Sequence, residues 1–570
     1  MSDLTDNSSD FDRALHAAQA RLTGGLSIAA LTLAWADWAL HIAGQPGRQM
    51  ELARHAASDW TALARQALGL PFTPMQPDPQ DHRFIAEGWQ HGPAAWAAQA
   101  FLRAERFWDE ATTNTAGVSR ENQRIVNFAA RQMLDVAAPS NFPLFNPEVL
   151  ARAQATSGDS LRQGAKNLAA DLRSIGTTTT QPLPMQPGKD VAITPGKVVL
   201  RNDLLELIQY APATDTVRPE PVLIVPAWIM KYYILDLSPH NSMVNYLVSQ
   251  GFTVFCISWR NPDASMRDVS LDDYRRLGTM AALDAVSAIC GSEKKIHATG
   301  YCLGGTLLSI TAAAMARDHD ERLASITLLA AQTDFTEAGE LQLFINESQL
   351  HFLDDAMWAQ GYLDAKQMAG AFQMLRANDL IWSQMIRRYC LGEEDHPNDL
   401  MSWNMDTTRM PYRMHSEYLH KLFLNNDLAE GRFEAGGRKI SLADIHAPFF
   451  VIGTETDHIA PWRSVYKLQQ LNGEDFTFVL TSGGHNAGVV SEPGHPHRHF
   501  CTLRRKPGEL YVPPDEWQGH ALCQDGSWWP DWTAWLASHS GAPINPPPAG
   551  APKAGYKVLE PAPGTYIFQR

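Results

Sequence analysis

The chain holds 570 residues, 45% of them hydrophobic, with a formal net charge of −15 at pH 7. Such a length exceeds one compact core and predicts two or three domains, while the acidic balance argues against nucleic acid as a partner. Six cysteines lie far apart with no Cys-x-x-Cys pair, so a reduced, cytosolic chain with neither a disulfide framework nor a structural zinc is expected.

In chain order, the opening Met1-Ser2-Asp3-Leu4-Thr5-Asp6-Asn7 is acidic and polar, unlike a secretory signal. From about residue 10 to 175 the chain is rich in Ala, Leu, Gln and Arg, and helical patterning marks 11–22, 49–68, 92–112 and 121–136. The most apolar stretch, 26–42, is broken by Asp37 and His41 and falls short of the roughly 20 residues that a membrane span needs. An amphipathic helix is expected there, and no membrane span. The run Thr177-Thr178-Thr179-Thr180-Gln181-Pro182-Leu183-Pro184 reads as an extended connection, giving a helical domain over 1–190 and a catalytic domain over 191–570.

Beyond that connection, short apolar strands at 221–225, 252–259, 325–329, 448–453 and 476–480 alternate with helices, the pattern of a parallel α/β sheet. A helical stretch from about 335 to 435, rich in Met, Trp and Tyr, is too long for one crossover and predicts a lid. Trp528, Trp529, Trp532 and Trp535 share one helical face and are expected in the core; the Pro-rich 543–552 reads as an extended linker.

One motif carries chemistry. The strand before Gly300-Tyr301-Cys302-Leu303-Gly304-Gly305 leads through this box into an apolar helix. Glycines around a nucleophile permit a strained strand-to-helix turn that lifts it above the sheet, and the helix N-terminus behind the sulfur favours a thiolate. A buried packing cysteine is the alternative reading. Loops after two later strands offer partners: Asp457 in Thr454-Glu455-Thr456-Asp457-His458, and His485 in Gly483-Gly484-His485-Asn486. The order nucleophile, acid, histidine is that of the α/β-hydrolases.

Competitors remain for each partner. Asp334, after the 325–329 strand, holds a second position for the acid; Glu455 is the weaker neighbour of Asp457; His458 is a rival base or a supporting residue. The backbone N–H groups of Leu303 and Trp228, the latter in the loop after the 221–225 strand, are expected to form the oxyanion hole. His495, His497 and His499 lie in a Pro-Gly loop read as having no nearby carboxylate or cysteine pair, so a solvated loop is expected and no metal. Attack of a thiolate on a thioester gives another thioester, and the acyl group stays activated for transfer to a hydroxyl. The sulfur therefore points to acyl transfer from a coenzyme A thioester, with water kept out by the lid.

Wider segments carry a resemblance. Asp81-His82-Arg83-Phe84, Pro139-Ser140-Asn141-Phe142, Asn146-Pro147-Glu148, Lys231-Tyr232-Tyr233-Ile234-Leu235-Asp236-Leu237, Ser258-Trp259-Arg260-Asn261-Pro262-Asp263, the 300–305 box, Asp457-His458-Ile459-Ala460-Pro461-Trp462, Gly484-His485-Asn486-Ala487-Gly488-Val489-Val490 and Gly526-Ser527-Trp528-Trp529-Pro530-Asp531-Trp532 run through most of the chain. Together they resemble the class I, single-subunit poly(3-hydroxyalkanoate) synthases. The resemblance implies an α/β-hydrolase core with a helical lid behind a helical N-terminal domain, and a catalytic set of Cys302, Asp457 and His485. Asp236, His458 and Asp334 are supporting candidates.

It further implies that a 3-hydroxyacyl-CoA, short-chain in the first instance, loads Cys302 and releases coenzyme A. A 3-hydroxyl then attacks the acyl thioester, so coenzyme A is part of a substrate and product and no separate cofactor is expected. A cytoplasmic homodimer at the polyester granule surface, with granule proteins as partners, is the implied setting. The family's Pro-Pro-x-Ile-Asn-Lys is here Pro226-Ala227-Trp228-Ile229-Met230-Lys231, and Asn486 stands where an aliphatic residue is commoner; both changes bear on pocket shape. The rivals are a thioesterase or depolymerase on the same fold and a non-catalytic granule protein.

Overall fold

The computed structural model describes residues 3–23, 25–78, 81–174, 183–364, 367, 377–394 and 398–570. The chain forms two units, one of Met1–Arg21, Pro182–Gln367 and Pro397–Arg570, the other of Leu22–Gln181 and Met368–His396. This differs from a contiguous split near residue 190. The first 21 residues join the catalytic unit, because Ala20 of the N-terminal helix Asp3–Thr23 packs with Phe352 and Ala356. Part of the lid insertion joins the helical unit through Arg388, whose guanidinium meets Asp171 at 2.7 Å. Most of the expected 177–184 connection lies outside the described residues.

In the helical unit, the stretch expected to be amphipathic is the helix Ile28–Ala43, capped by the Ser27 hydroxyl accepting from the Ala30 N–H. No described helix is long and apolar enough to cross a membrane. The quoted motifs are structural here. The buried Arg83 guanidinium meets Asp81, Glu105 and Asp135 at 2.7–2.8 Å and lies 4.8 Å from the Phe101 ring. Three carboxylates around one cation offset the cost of burying it. Asn146 caps the helix Pro147–Ala155, its Oδ1 accepting from the Glu148 and Val149 N–H groups.

The catalytic unit carries the strands β1 (Gly196–Arg201), β2 (Leu205–Tyr210), β3 (Val222–Val225), β4 (Val254–Trp259), β5 (Ile296–Tyr301) and β6 (Leu323–Leu329). Two short pairs follow within the insertion and just after it: β7 (Tyr362–Leu363) with β8 (Met410–Pro411), and β9 (Glu434–Ala435) with β10 (Arg438–Lys439). Then come β11 (Phe449–Thr454), β12 (Phe476–Thr481), β13 (His499–Arg505), β14 (Leu522–Asp525) and β15 (Glu560–Pro561). Eleven strands make one sheet in the order β14-β13-β12-β11-β6-β5-β3-β4-β2-β1-β15. The six from β12 to β4 run parallel, as the expected strands require, and are flanked by antiparallel strands at both edges. Strands β3, β4, β5, β11 and β12 are buried throughout, which is why they read as continuous apolar runs.

Trp535 is only half-buried against the core, while Trp528, Trp529 and Trp532 are buried in it as expected. Their indole N–H groups donate to the carbonyls of Gly488 and Val489 and to Thr327 Oγ1, so this helix also pins the backbone just after His485. The expectation for the cysteines is overturned. Cys501 and Cys523 form a disulfide, because β13 and β14 place them directly opposite each other. A separation of 22 residues hid that pairing in the sequence.

Candidate active site

Strand β5 ends at Tyr301 and the helix Leu303–Arg317 begins two residues on, leaving Cys302 alone at the turn with φ 51° and ψ −124°. A non-glycine residue there carries strain of order 1–3 kcal/mol, so the surroundings must hold it. They do. The Cys302 N–H donates to the Leu329 carbonyl at 2.9 Å, and its own carbonyl accepts from Gly305 and Thr306. A Cβ on Gly300 would lie 2.3 Å from Gly305 Cα, and one on Gly304 would lie 2.1 Å from the Val225 carbonyl oxygen. The glycines thus let the helix close on the strand and bring the loop after β3 against the elbow.

The loops after β11 and β12 deliver Asp457 and His485 to the same edge. His485 Nδ1 and Asp457 Oδ2 are 2.7 Å apart, and the Thr454 hydroxyl donates to the same oxygen at 3.1 Å. Asp457 Oδ1 accepts from the Ile459 and Ala460 N–H groups, both at 2.8 Å. Every acceptor site on this buried carboxylate that faces protein is therefore used. Burial favours its neutral form, yet the His485 charge and these donors hold its carboxyl below the ordinary range. Burial likewise opposes charge on His485, but Asp457 and the nearby Cys302 sulfur hold the imidazole well above its usual value. With Nδ1 committed to Asp457, Nε2 is the nitrogen left for the sulfur.

The other candidates lie elsewhere. Asp334 Oδ1 accepts from the Thr336 N–H and hydroxyl, and Lys467 stands 3.9 Å away. Glu455 pairs with His499 at 3.0 Å, and His495 with Glu492 at 2.8 Å, so the histidine-rich loop disperses onto separate carboxylates. The His458 carbonyl accepts from the Glu340 N–H. Asp236 is buried with the Thr194 and Ser242 hydroxyls at 2.5 and 2.6 Å, and burial pushes its carboxyl up to about 6. Leu303 lines a narrow cavity of about 20 Å³ beside Cys302, closed by Phe335, Leu341, Tyr418 and Phe423. Trp228 is buried just behind it, its ring 5.3 Å from Tyr274 and 6.3 Å from Tyr418, its carbonyl accepting from Thr408 Oγ1.

Two features escaped the sequence reading. Tyr301 lies 5.6 Å from the His485 ring, and its hydroxyl donates to Asn486 Oδ1 at 2.5 Å. Asn486 had registered only as a departure; its position next to the histidine was the available signal. Lys231 is buried and donates to the carbonyls of Gln569 and Tyr566 at 2.6 and 3.3 Å, and burial lowers its ammonium to about 8. Nothing in the local sequence links residues 231 and 569.

Residues 80–247 match the poly-beta-hydroxybutyrate polymerase N-terminus, residues 7–48 the poly-beta-hydroxybutyrate polymerase N terminal family and residues 220–491 the alpha/beta hydrolase fold. The chain is 40% identical over 527 residues to the poly(3-hydroxyalkanoate) polymerase of Methylorubrum extorquens, covering 91% of this chain and 86% of that one. The chain belongs to the poly(3-hydroxyalkanoate) polymerase family. Poly(3-hydroxyalkanoate) polymerase subunit PhaC of Rhizobium etli is 38% identical, with 88% and 79% covered, and that of Cupriavidus necator 37%, with 85% and 83% covered. Within this polymerase family fold, the 231–237 segment is scaffolding: Lys231 holds the C-terminal tail, and Asp236 ties its turn to Thr194 and Ser242.

Proposed function

We propose that the chain polymerises 3-hydroxyacyl units, taken from coenzyme A thioesters, through an acyl thioester on Cys302. The observation that carries this reading is the Asp457–His485–Cys302 relay on a strained elbow. His485 Nε2 takes the thiol proton, and the sulfur attacks the thioester carbonyl. The developing oxyanion is met by the Leu303 N–H and by an N–H of the 226–229 loop, for which Trp228 is the candidate. Collapse breaks the bond to coenzyme A, whose thiolate takes the proton from His485. The 3-hydroxyl of a second unit, deprotonated by the same imidazole, then attacks the acyl-cysteine carbonyl; the carbonyl–sulfur bond breaks, the Cys302 thiolate takes the proton back from His485, and the chain is longer by one ester. Asp457 keeps the Nδ1 proton in place and balances the imidazolium.

The sulfur decides between transfer and hydrolysis: the acyl group remains a thioester between the two steps, and the aromatic cavity wall keeps water scarce. A space of about 20 Å³ bounded by Phe335, Leu341, Tyr418 and Phe423 admits no acyl chain until those side chains move, and short units such as 3-hydroxybutyryl are the reading carried over from the family resemblance. No resident cofactor is needed for these steps. We place the enzyme in the cytoplasm at the polyester granule surface, as a homodimer, with granule proteins as possible neighbours in the family's manner. The test is incubation with C4, C5 and longer 3-hydroxyacyl-CoAs. Coenzyme A release with insoluble polyester, fastest for C4, is expected; coenzyme A release with only soluble 3-hydroxy acid would instead mark a thioesterase.

A further inference from the structure

Away from the elbow, the catalytic unit brings together three metal-ligating side chains that the polymerase chemistry does not use. His16 comes from the helix Asp3–Thr23, and His351 and Asp355 from the lid helix Glu347–Gln360. Their donor atoms all lie within 4.8 Å of one another. We propose that His16, His351 and Asp355 form a binding site for a divalent transition metal of the zinc type, which fastens the N-terminal helix to the lid.

The arrangement of the carboxylate supports this. Asp355 Oδ2 faces both imidazoles, 2.7 Å from His16 Nδ1 and 3.6 Å from His351 Nε2. Its other oxygen, Oδ1, stands 3.6 Å from the Arg13 guanidinium, an ion-pair distance. Oδ2 is thus the oxygen turned to the imidazoles, while Oδ1 faces a cation. Zinc–ligand bonds of about 2.0–2.1 Å in a tetrahedron put ligand atoms roughly 3.3 Å apart, so the His351–Asp355 spacing of 3.6 Å is close to that value and His16 must draw back from Asp355 by about half an ångström. Residues 351 and 355 are four apart on one helix, which points both side chains to the same face. Asp355 is buried while the imidazoles are partly open to solvent, leaving an approach for the ion and room for a water as fourth ligand. Two nitrogens and one oxygen suit zinc, cobalt or nickel and not the all-oxygen preference of calcium or magnesium.

The position gives the site a consequence. The N-terminal helix meets the lid helix through a small apolar group, Ala20 with Phe352 and Ala356, and through Arg13 lying 5.0 Å over the Trp358 ring. Three coordinate bonds would add a link between segments more than 300 residues apart in sequence.

The full-length protein, carrying Cys302→Ala so that the thiol does not compete, is stripped with chelator and titrated with Co²⁺ while visible d–d absorption is read. One equivalent should bind and be displaced by Zn²⁺, with affinity lowered at least about tenfold by His351→Ala or His16→Ala and unchanged by His446→Ala. His351 is exposed, so its removal leaves the fold intact. Hydrogen exchange of residues 11–20 should slow on adding Zn²⁺ and fail to slow in His351→Ala. Equal Co²⁺ binding in all variants, or none below millimolar metal, would overturn the proposal.

Discussion

Two histidine–aspartate pairs in the catalytic unit share the same bond: His485 Nδ1 to Asp457 Oδ2 and His16 Nδ1 to Asp355 Oδ2 both measure 2.7 Å. Their surroundings give them different chemistry. Around Asp457 the remaining acceptor capacity goes to two backbone N–H groups and a threonine hydroxyl, and the far side of the imidazole meets a sulfur. That pair is buried and has one direction in which to pass a proton. Around Asp355 the second oxygen meets a guanidinium, a second imidazole faces the first, and the histidines stay partly in solvent. That pair has an open coordination face and no nucleophile. A hydrogen bond alone does not define a catalytic dyad; what occupies the other nitrogen and the other oxygen does.

The comparison can be broken first at the sulfur. Cys302→Ala should lower coenzyme A release from 3-hydroxybutyryl-CoA by about 10³-fold or more with an unchanged circular dichroism spectrum. Asp457→Asn, which mis-sets the imidazole tautomer, should cost on the order of 10³–10⁴ in kcat. The same variant sharpens the pH behaviour. His485 is held above its ordinary 6.5, so the stability it contributes is full below that value and is lost as pH rises through the folded value. Asp457 is held below 3.8, so its contribution is present above that value and lost as pH falls through the folded one. The Tm gap between wild type and Asp457→Asn should therefore be widest between those two values and narrow on either side; a pH-independent gap would refute the coupling.

Smaller effects sit further out. Tyr301→Phe or Asn486→Ala frees the ring beside His485, and a loss of about three- to tenfold in kcat with little change in KM is expected from a loosened base. Asp334→Asn, at the rival acid position that the structure turns toward Thr336 and Lys467, should stay within about twofold of wild type in the same assay. A loss near that of Asp457→Asn would reverse the assignment of the acid.

Much of this was readable from residues. The apolar runs that became β3, β4, β6, β11 and β12 announce themselves because a strand buried on both faces needs no polar alternation. The glycines of the 300–305 box announce the elbow because no larger residue fits between helix and strand. The edge strands were not readable: β13 and β14 are largely half-exposed or exposed, and their register, which joins Cys501 to Cys523, depends on an intervening segment with its own helix, Pro514–His520. Nor was the placement of the first 21 residues, since small-residue packing of Ala20 leaves no periodic apolar signature strong enough to name its partner.

By itself the sequence determined the elbow at Cys302, the chain order of its candidate partners and the kind of sheet that carries them, because local sterics and burial on both faces restrict those positions to few residue types. Only the tertiary structure set Asp457 against His485 and turned Asp334 toward Thr336, bound Tyr301 to Asn486, and set His16 against a lid helix more than 300 residues away. Those outcomes rest on distances between segments remote in the chain, and no local pattern of residues encodes them.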